Sequence, residues 1–269
     1  MIQTATFGLG TLYRRRLAVS TRTASGMIGQ VVPPLLWVLV LAPALDTALG
    51  SFNPQVDYYT YVALAQVAFL IPFTSMFSGI NVIVDKDFGV LRELLVAPVF
   101  RAAIPLANAL GVMTVALVQV AILVGFGILR GAEFDTSPAG VAWFLAACCL
   151  LSLSTYGIAE TLALLIGRQE AYGPMIPAVG VTPWFLAGSL FPITLLPAGI
   201  EQVSLFLPWT HALALMRYGM MQDIDPGLAD IWGMDSNGTM ALLSLLALVA
   251  YAALTLFIAI RVFYRKSTS

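Results

Sequence analysis

The sequence predicts an all-α integral membrane protein with six transmembrane helices, and three observations carry that prediction. Of 269 residues, 59% are hydrophobic and 10% charged, with a mean hydropathy of +0.90; a soluble domain carries roughly a quarter charged residues, so a water-soluble enzyme is excluded. Apolar windows of helix-crossing length, about 20 residues each, recur at 27–48, 58–83, 104–129, 139–166, 171–191 and 239–262. Third, the basic residues segregate: Arg14, Arg15, Arg16, Arg22, Lys86, Arg92, Arg101, Arg168, Arg261, Arg265 and Lys266 share one side of that layout, against Arg130 and Arg217 on the other. By the positive-inside rule both termini are cytoplasmic in a multi-pass cell (inner) membrane protein. Nine carboxylates, among them Asp57, Asp135 and Asp230, fall outside, although acids weigh little in topology. The net charge of −1 leaves no basic excess to neutralise a phosphate backbone, so nucleic acid is not an expected partner.

The chain reads as a single membrane domain, 1–269. Residues 1–26 form a cytoplasmic interfacial helix, because Leu9, Leu12, Tyr13 and Leu17 recur at helical spacing with arginines between them; a loose basic tail that only sets orientation is the alternative. Ala42-Pro43-Ala44 imitates a signal-peptidase site, but the apolar run is too long for a signal sequence, and a retained first span is expected. Pro33-Pro34, Pro72, Pro174 and Pro177 each remove a backbone donor, so their helices are expected to kink or pack against protein. Cys148 and Cys149 are adjacent, point about 100° apart on a helix and read as packing residues. Residues 84–101 hold the densest charge: Asp87 as a cap, a stripe of Val90, Leu91, Leu94 and Leu95, Arg92 and Glu93 facing elsewhere, and Pro98 as the stop. From composition this is a short amphipathic helix on the cytoplasmic face or a surface connector. Residues 192–238 are expected outside, starting with a re-entrant hairpin broken by Pro192, Pro197 and Pro208 and turning near Pro197 and Gly199.

Two stretches carry a family resemblance. Asp87, Gly89, Glu93, Leu94, Leu95, Pro98 and Arg101 match the pattern between the second and third spans of ABC-2 type permeases, the membrane half of ATP-binding-cassette exporters. The basic residue usual directly before the turn is replaced by Asp87 after Lys86. Pro183-Trp184-Phe185-Leu186-Ala187-Gly188-Ser189-Leu190-Phe191-Pro192, then Leu195-Leu196-Pro197, then Leu207-Pro208-Trp209-Thr210-His211-Ala212 and Arg217 resemble the family's fifth span and extracellular hairpin. The short loops are more similar to drug, lipooligosaccharide and glycoconjugate exporters than to floppases with ectodomains.

The resemblance implies that 84–101 is a coupling helix seated on an ABC ATPase, with Asp87, Gly89, Arg92, Glu93, Leu94, Leu95, Pro98 and Arg101 as its contact set. It also implies two ATPase copies holding ATP and Mg, a second permease copy or paralogue, and an amphipathic, lipid-linked or drug-like substrate exported through the dimer interface among membrane lipids. A Walker A loop needs a glycine before its lysine, whereas Lys86 follows Asp85 and Lys266 follows Arg265, so this chain is not expected to hydrolyse ATP or to hold a cofactor. Glu160 is the one ionisable residue well inside a span, a functional candidate or a carboxylate paired near the cytoplasmic boundary with Arg168 or water. His211, the sole histidine, excludes a multi-histidine metal site and reads as a capping or interfacial residue. Trp184, Trp209, Trp232 and Tyr218 read as an aromatic belt, while Phe185 and Phe191 are candidate gate residues. The rival functions are a proton-coupled secondary transporter using Glu160 and a membrane-embedded enzyme.

Overall fold

A computed structural model describes residues 2–22, 24–49, 57–96, 100–221 and 227–267, and every regular element among them is helical. In chain order these are α1 (Ile2–Arg22), α2 (Ala24–Leu49), α3 (Tyr58–Asp87), α4 (Val90–Val96), α5 (Ala103–Leu129), α6 (Pro138–Ile166), α7 (Gln169–Tyr172), α8 (Met175–Gly180) and α9 (Thr182–Leu186). After a single 3-10 turn follow α10 (Ala198–Leu205), α11 (Pro208–Met220), α12 (Leu228–Trp232) and α13 (Asn237–Ser267). Five of them, α2, α3, α5, α6 and α13, are long and apolar enough to cross a membrane, and they coincide with five of the six expected spans.

The remaining expected span, the fifth at 171–191, is not one helix. Pro174, Pro177 and Pro183 cannot donate to the i−4 carbonyl, and Gly173 and Gly180 add backbone freedom, so the run breaks into α7, α8 and α9. The pieces stay in line along α3. A Cβ on Gly167, at the end of α6, would lie 3.1 Å from Lys86 Nζ. Tyr172 Oη donates to Met76 O at 2.8 Å, and Trp184 Nε1 donates to Ala65 O at 2.6 Å. Those levels on α3 are roughly 30 Å apart at about 1.5 Å per residue, the thickness of a bilayer core.

α3 is the hub, with 67% of its apolar window buried against 22% for α2 and α13 at the periphery. Asp57 caps its start, accepting from the amides of Tyr59 and Thr60. Two cores stack along it: one around Val62–Ile71 joins α2, α5, α6, α11 and α13, and the other around Met76–Ile83 joins α1, α5, α6 and Phe263 of α13. The charge asymmetry maps onto the two ends of this bundle. Arg15 pairs with Asp85 at 3.2 Å at the end that also holds Lys86, Arg168 and the C-terminal turn of α13. At the opposite end Asp57 accepts from the Glu133 amide at 2.9 Å, and the Asp135 amide donates to Met220 O.

Glycines set the closest crossings. A Cβ on Gly157 of α6 would lie 2.6 Å from the Thr255 carbonyl carbon of α13, and one on Gly140 would lie 2.2 Å from Gly219 O of α11. Helix backbones approach this closely only where no side chain intervenes.

Candidate functional site

Three groups of residues stand out, one at the basic end, one buried near it and one at the opposite end. At the basic end Asp87 closes α3 rather than capping the next helix, and Gly89, at φ +76°, makes the turn into α4. The apolar stripe of α4 turns inward: Leu91 and Leu94 pack on the core around Met76–Ile83. Glu93 is exposed, as are Phe88 (80%), Val96 (86%) and Phe100 (63%). Arg101 is half-buried ahead of α5. The side chains of Arg92 and Leu95, and Pro98 altogether, lie outside the described residues.

The second group corrects two expectations. Glu160 is wholly buried, and neither carboxylate oxygen has a hydrogen-bond partner. The charged group that acts on it is Arg16 of α1, together with the Tyr156 hydroxyl one turn earlier, and not Arg168. Arg16 is 2% exposed; its aliphatic stem crosses Gly111 of α5, and Nη2 donates to Ser78 O of α3 at 3.4 Å. The segment expected as an interfacial helix, with a loose basic tail as the alternative, is helical and packs on the bundle. Leu12 is buried, and Tyr13 Oη and Thr114 Oγ1 share a hydrogen bond at 3.0 Å. Leu9, Leu12 and Tyr13 predict that face, and Arg16, seven residues after Leu9, continues it. Its place on the stripe was the available signal, obscured by its charge.

The third group holds the segment after α9 together. Arg217 lies buried, donating from Nη1 to Gly188 O at 3.0 Å and from Nη2 to Ser189 O at 3.1 Å, with its guanidinium carbon 3.9 Å from the Tyr61 ring centroid. It clamps α11 to the end of the broken run and so is not a solvent-facing loop charge. Pro197 starts α10, and Pro208 is the first residue of α11. The helical run breaks at Phe206-Leu207 rather than at Pro197 and Gly199, because Pro208 supplies no amide to continue α10. Tyr251, midway along α13, donates to Phe206 O there, and Pro192 precedes the 3-10 turn. Residues 222–226 of the expected outer segment lie outside the described residues.

His211 is buried inside α11, with Nδ1 3.3 Å from Ser244 Oγ of α13 and its ring 5.8 Å from Trp232. It joins α11 to α13 and also hydrogen-bonds the backbone of Leu205, the last residue of α10, as a cap would. Trp184 and Trp209 are 2% and 3% exposed, so packing takes them away from the expected belt. Trp184 instead ends a chain of ring contacts from Phe77 through Phe73 and Phe69, with Trp37 and Phe185 beside it. Phe185 (45%) and Phe191 (40%) are part-exposed.

Comparison with known proteins places this architecture. A family model described as ABC-2 type transporter matches residues 8–221. The chain is 24% identical over 213 residues to a putative transport permease, ycf38, of Cyanophora paradoxa, covering 78% of this chain and 73% of that one. It is 25% identical over 193 residues to a probable doxorubicin resistance ABC transporter permease, DrrC, of Mycobacterium tuberculosis, covering 71% and 68%. A probable multidrug ABC transporter permease, YbhR, of Escherichia coli is 24% identical over 213 residues, covering 77% and 54%.

Proposed function

The chain belongs to the ABC-2 type transporter family, and from that premise we propose that it is the permease subunit of an exporter driven by a separate ABC ATPase. Two permease copies, or this chain and a paralogue, pair in the membrane, two ATPase copies dock beneath them with ATP and Mg, and an amphipathic or drug-like substrate crosses between the permeases. The relatives named for doxorubicin and multidrug transport support that substrate class.

The observation that carries the reading is α4. Leu91 and Leu94 bind this short helix to the bundle, while Glu93, Phe88, Val96 and Phe100 remain outside. An exposed charge on a helix flanked in sequence by exposed large apolar side chains suits a docking joint, whose contact excludes water and whose charged contact sets register. Anchored to α3 through Gly89, α4 transmits displacement of a bound ATPase to the most buried helix. Six crossings, with both termini cytoplasmic, follow from the basic end being cytoplasmic and from α7–α9 serving together as the fifth crossing.

The test is ATP hydrolysis by the reconstituted complex compared with the free ATPase. Glu93→Arg is expected to insert and dimerise normally yet abolish transport and substrate-stimulated hydrolysis, since truncating a buried charged contact costs about 2–5 kcal/mol. Arg261→Glu, near the end of α13, is expected to be far milder. Unchanged stimulation in Glu93→Arg would make α4 a connector only.

A further inference from the structure

We infer that each chain holds its own site for an anionic amphiphile, with the headgroup at Arg16 and the hydrocarbon tail between α2 and α5. This deepens the exporter reading and rests on it only for the fate of the bound molecule. A cavity of about 210 Å³ opens among α1, α2, α3 and α5, lined by the polar side chains of Arg16, Ser20, Gln30, Thr74, Ser78 and Asn81. At roughly 30 Å³ per water it has room for about seven waters, enough for a phosphate, carboxylate or sulfonate group with some of its hydration.

Beside it lies a groove of about 230 Å³ lined by Ile28, Val31, Val32, Leu35, Val118 and Ile122, with Gln119 as its polar member. The two spaces share a wall. Thr74 Oγ1 donates to Gln119 Oε1 at 2.6 Å, and Gln119 Nε2 donates to Gln30 Oε1 at 3.3 Å, so residues of the cavity and of the groove are bonded directly to one another. A chamber that mixes Arg16 and uncharged polar side chains with Phe77, Ile80, Val112 and Val115, lying next to an aliphatic groove, suits an amphiphile.

Arg16 decides the charge of the head. A guanidinium carries five donors; here Nη2 has the long bond to Ser78 O and Nε has no partner, though the residue is 2% exposed. Glu160 acts on the guanidinium from the protein side and is not among the cavity-lining residues. A buried cation that lines a chamber and keeps an unpartnered Nε and a long Nη2 bond calls for an oxyanion acceptor. A neutral or zwitterionic head of the same size would leave them less well used.

Native mass spectrometry of the purified chain, offered equal dioleoyl phosphatidic acid and dioleoyl phosphatidylcholine, tests this without any ATPase. One phosphatidic acid per chain is expected to be retained, with about tenfold preference. Arg16→Gln removes the preference. Val118→Trp, on a surface-facing position of the groove, lowers retention of both lipids at unchanged melting temperature, and keeps the test decisive if Arg16→Gln misfolds. Excess inorganic phosphate does not compete if the tail contributes. Equal retention of the two lipids by the unmodified chain, retention unchanged in Val118→Trp, or displacement by inorganic phosphate alone would overturn the site. With the partner ATPase bound, release of the lipid on ATP addition identifies cargo and persistence identifies a resident bilayer lipid; both keep the site, and neither depends on the outcome for Glu93→Arg.

Discussion

Arg16 and Glu160 come from helices far apart in sequence and are both buried, near enough for the guanidinium charge to act on the carboxylate without forming an ion pair with it. A carboxylate placed alone among apolar helices is costly, and removing one partner of a buried pair typically costs about 3–5 kcal/mol because the other charge is left uncompensated. Arg16→Met is therefore expected to lower the melting temperature of the purified chain strongly. Adding Glu160→Gln should restore most of the loss, since Gln removes the charge and keeps the shape. Glu160→Gln alone is expected to fold and to associate with the ATPase, with transport changed less than about tenfold. Thermal unfolding of the three variants closes the cycle, and additive losses would show that the two residues do not interact.

Among the elements, the segment from Pro192 to Met221 differs most in kind from the long helices. α10 and α11 are too short to cross, and they meet at Phe206-Leu207, beside Tyr251 in the middle of α13. Arg217 and the mutual approach of Gly140 and Gly219 hold the far end of α11 against α9 and α6. The proposed re-entrant hairpin would dip into the outer leaflet and return. Cysteine substituted at Phe206 is expected to resist a membrane-impermeant thiol reagent in intact cells while reacting with a lipid-soluble one. Prompt labelling by the impermeant reagent would place the break in water.

At the scale of the molecule, the two charged ends and the broken run beside α3 bear on topology together. If α7–α9 climbs the bilayer, α13 starts outside and ends inside. A cysteine at Ser236 is then expected to label with the impermeant reagent in intact cells, and a cysteine at Ser267 only after the membrane is opened. Labelling at Ser267 in intact cells would mean that α7–α9 fails to cross and that the C-terminus lies outside.

The five long spans were legible from the sequence because each is a helix-length apolar run, and in lipid such a run has no alternative way to satisfy its own backbone. The short helix α4 was legible in outline from Gly89 to Val96 for a similar reason, since its stripe and breakers are local. The breaks in the segment after α9 were legible, since Pro197 and Pro208 each stand at the start of a short helix, while the contact of Tyr251 with Phe206 between those helices was not. The burial of Arg16 and Glu160, the clamp of Arg217 on Gly188 and Ser189, and the burial of Trp184 were decided by packing. These side chains have two physically acceptable places, the membrane boundary or a polar gap between helices, and the gap exists only after distant helices come together.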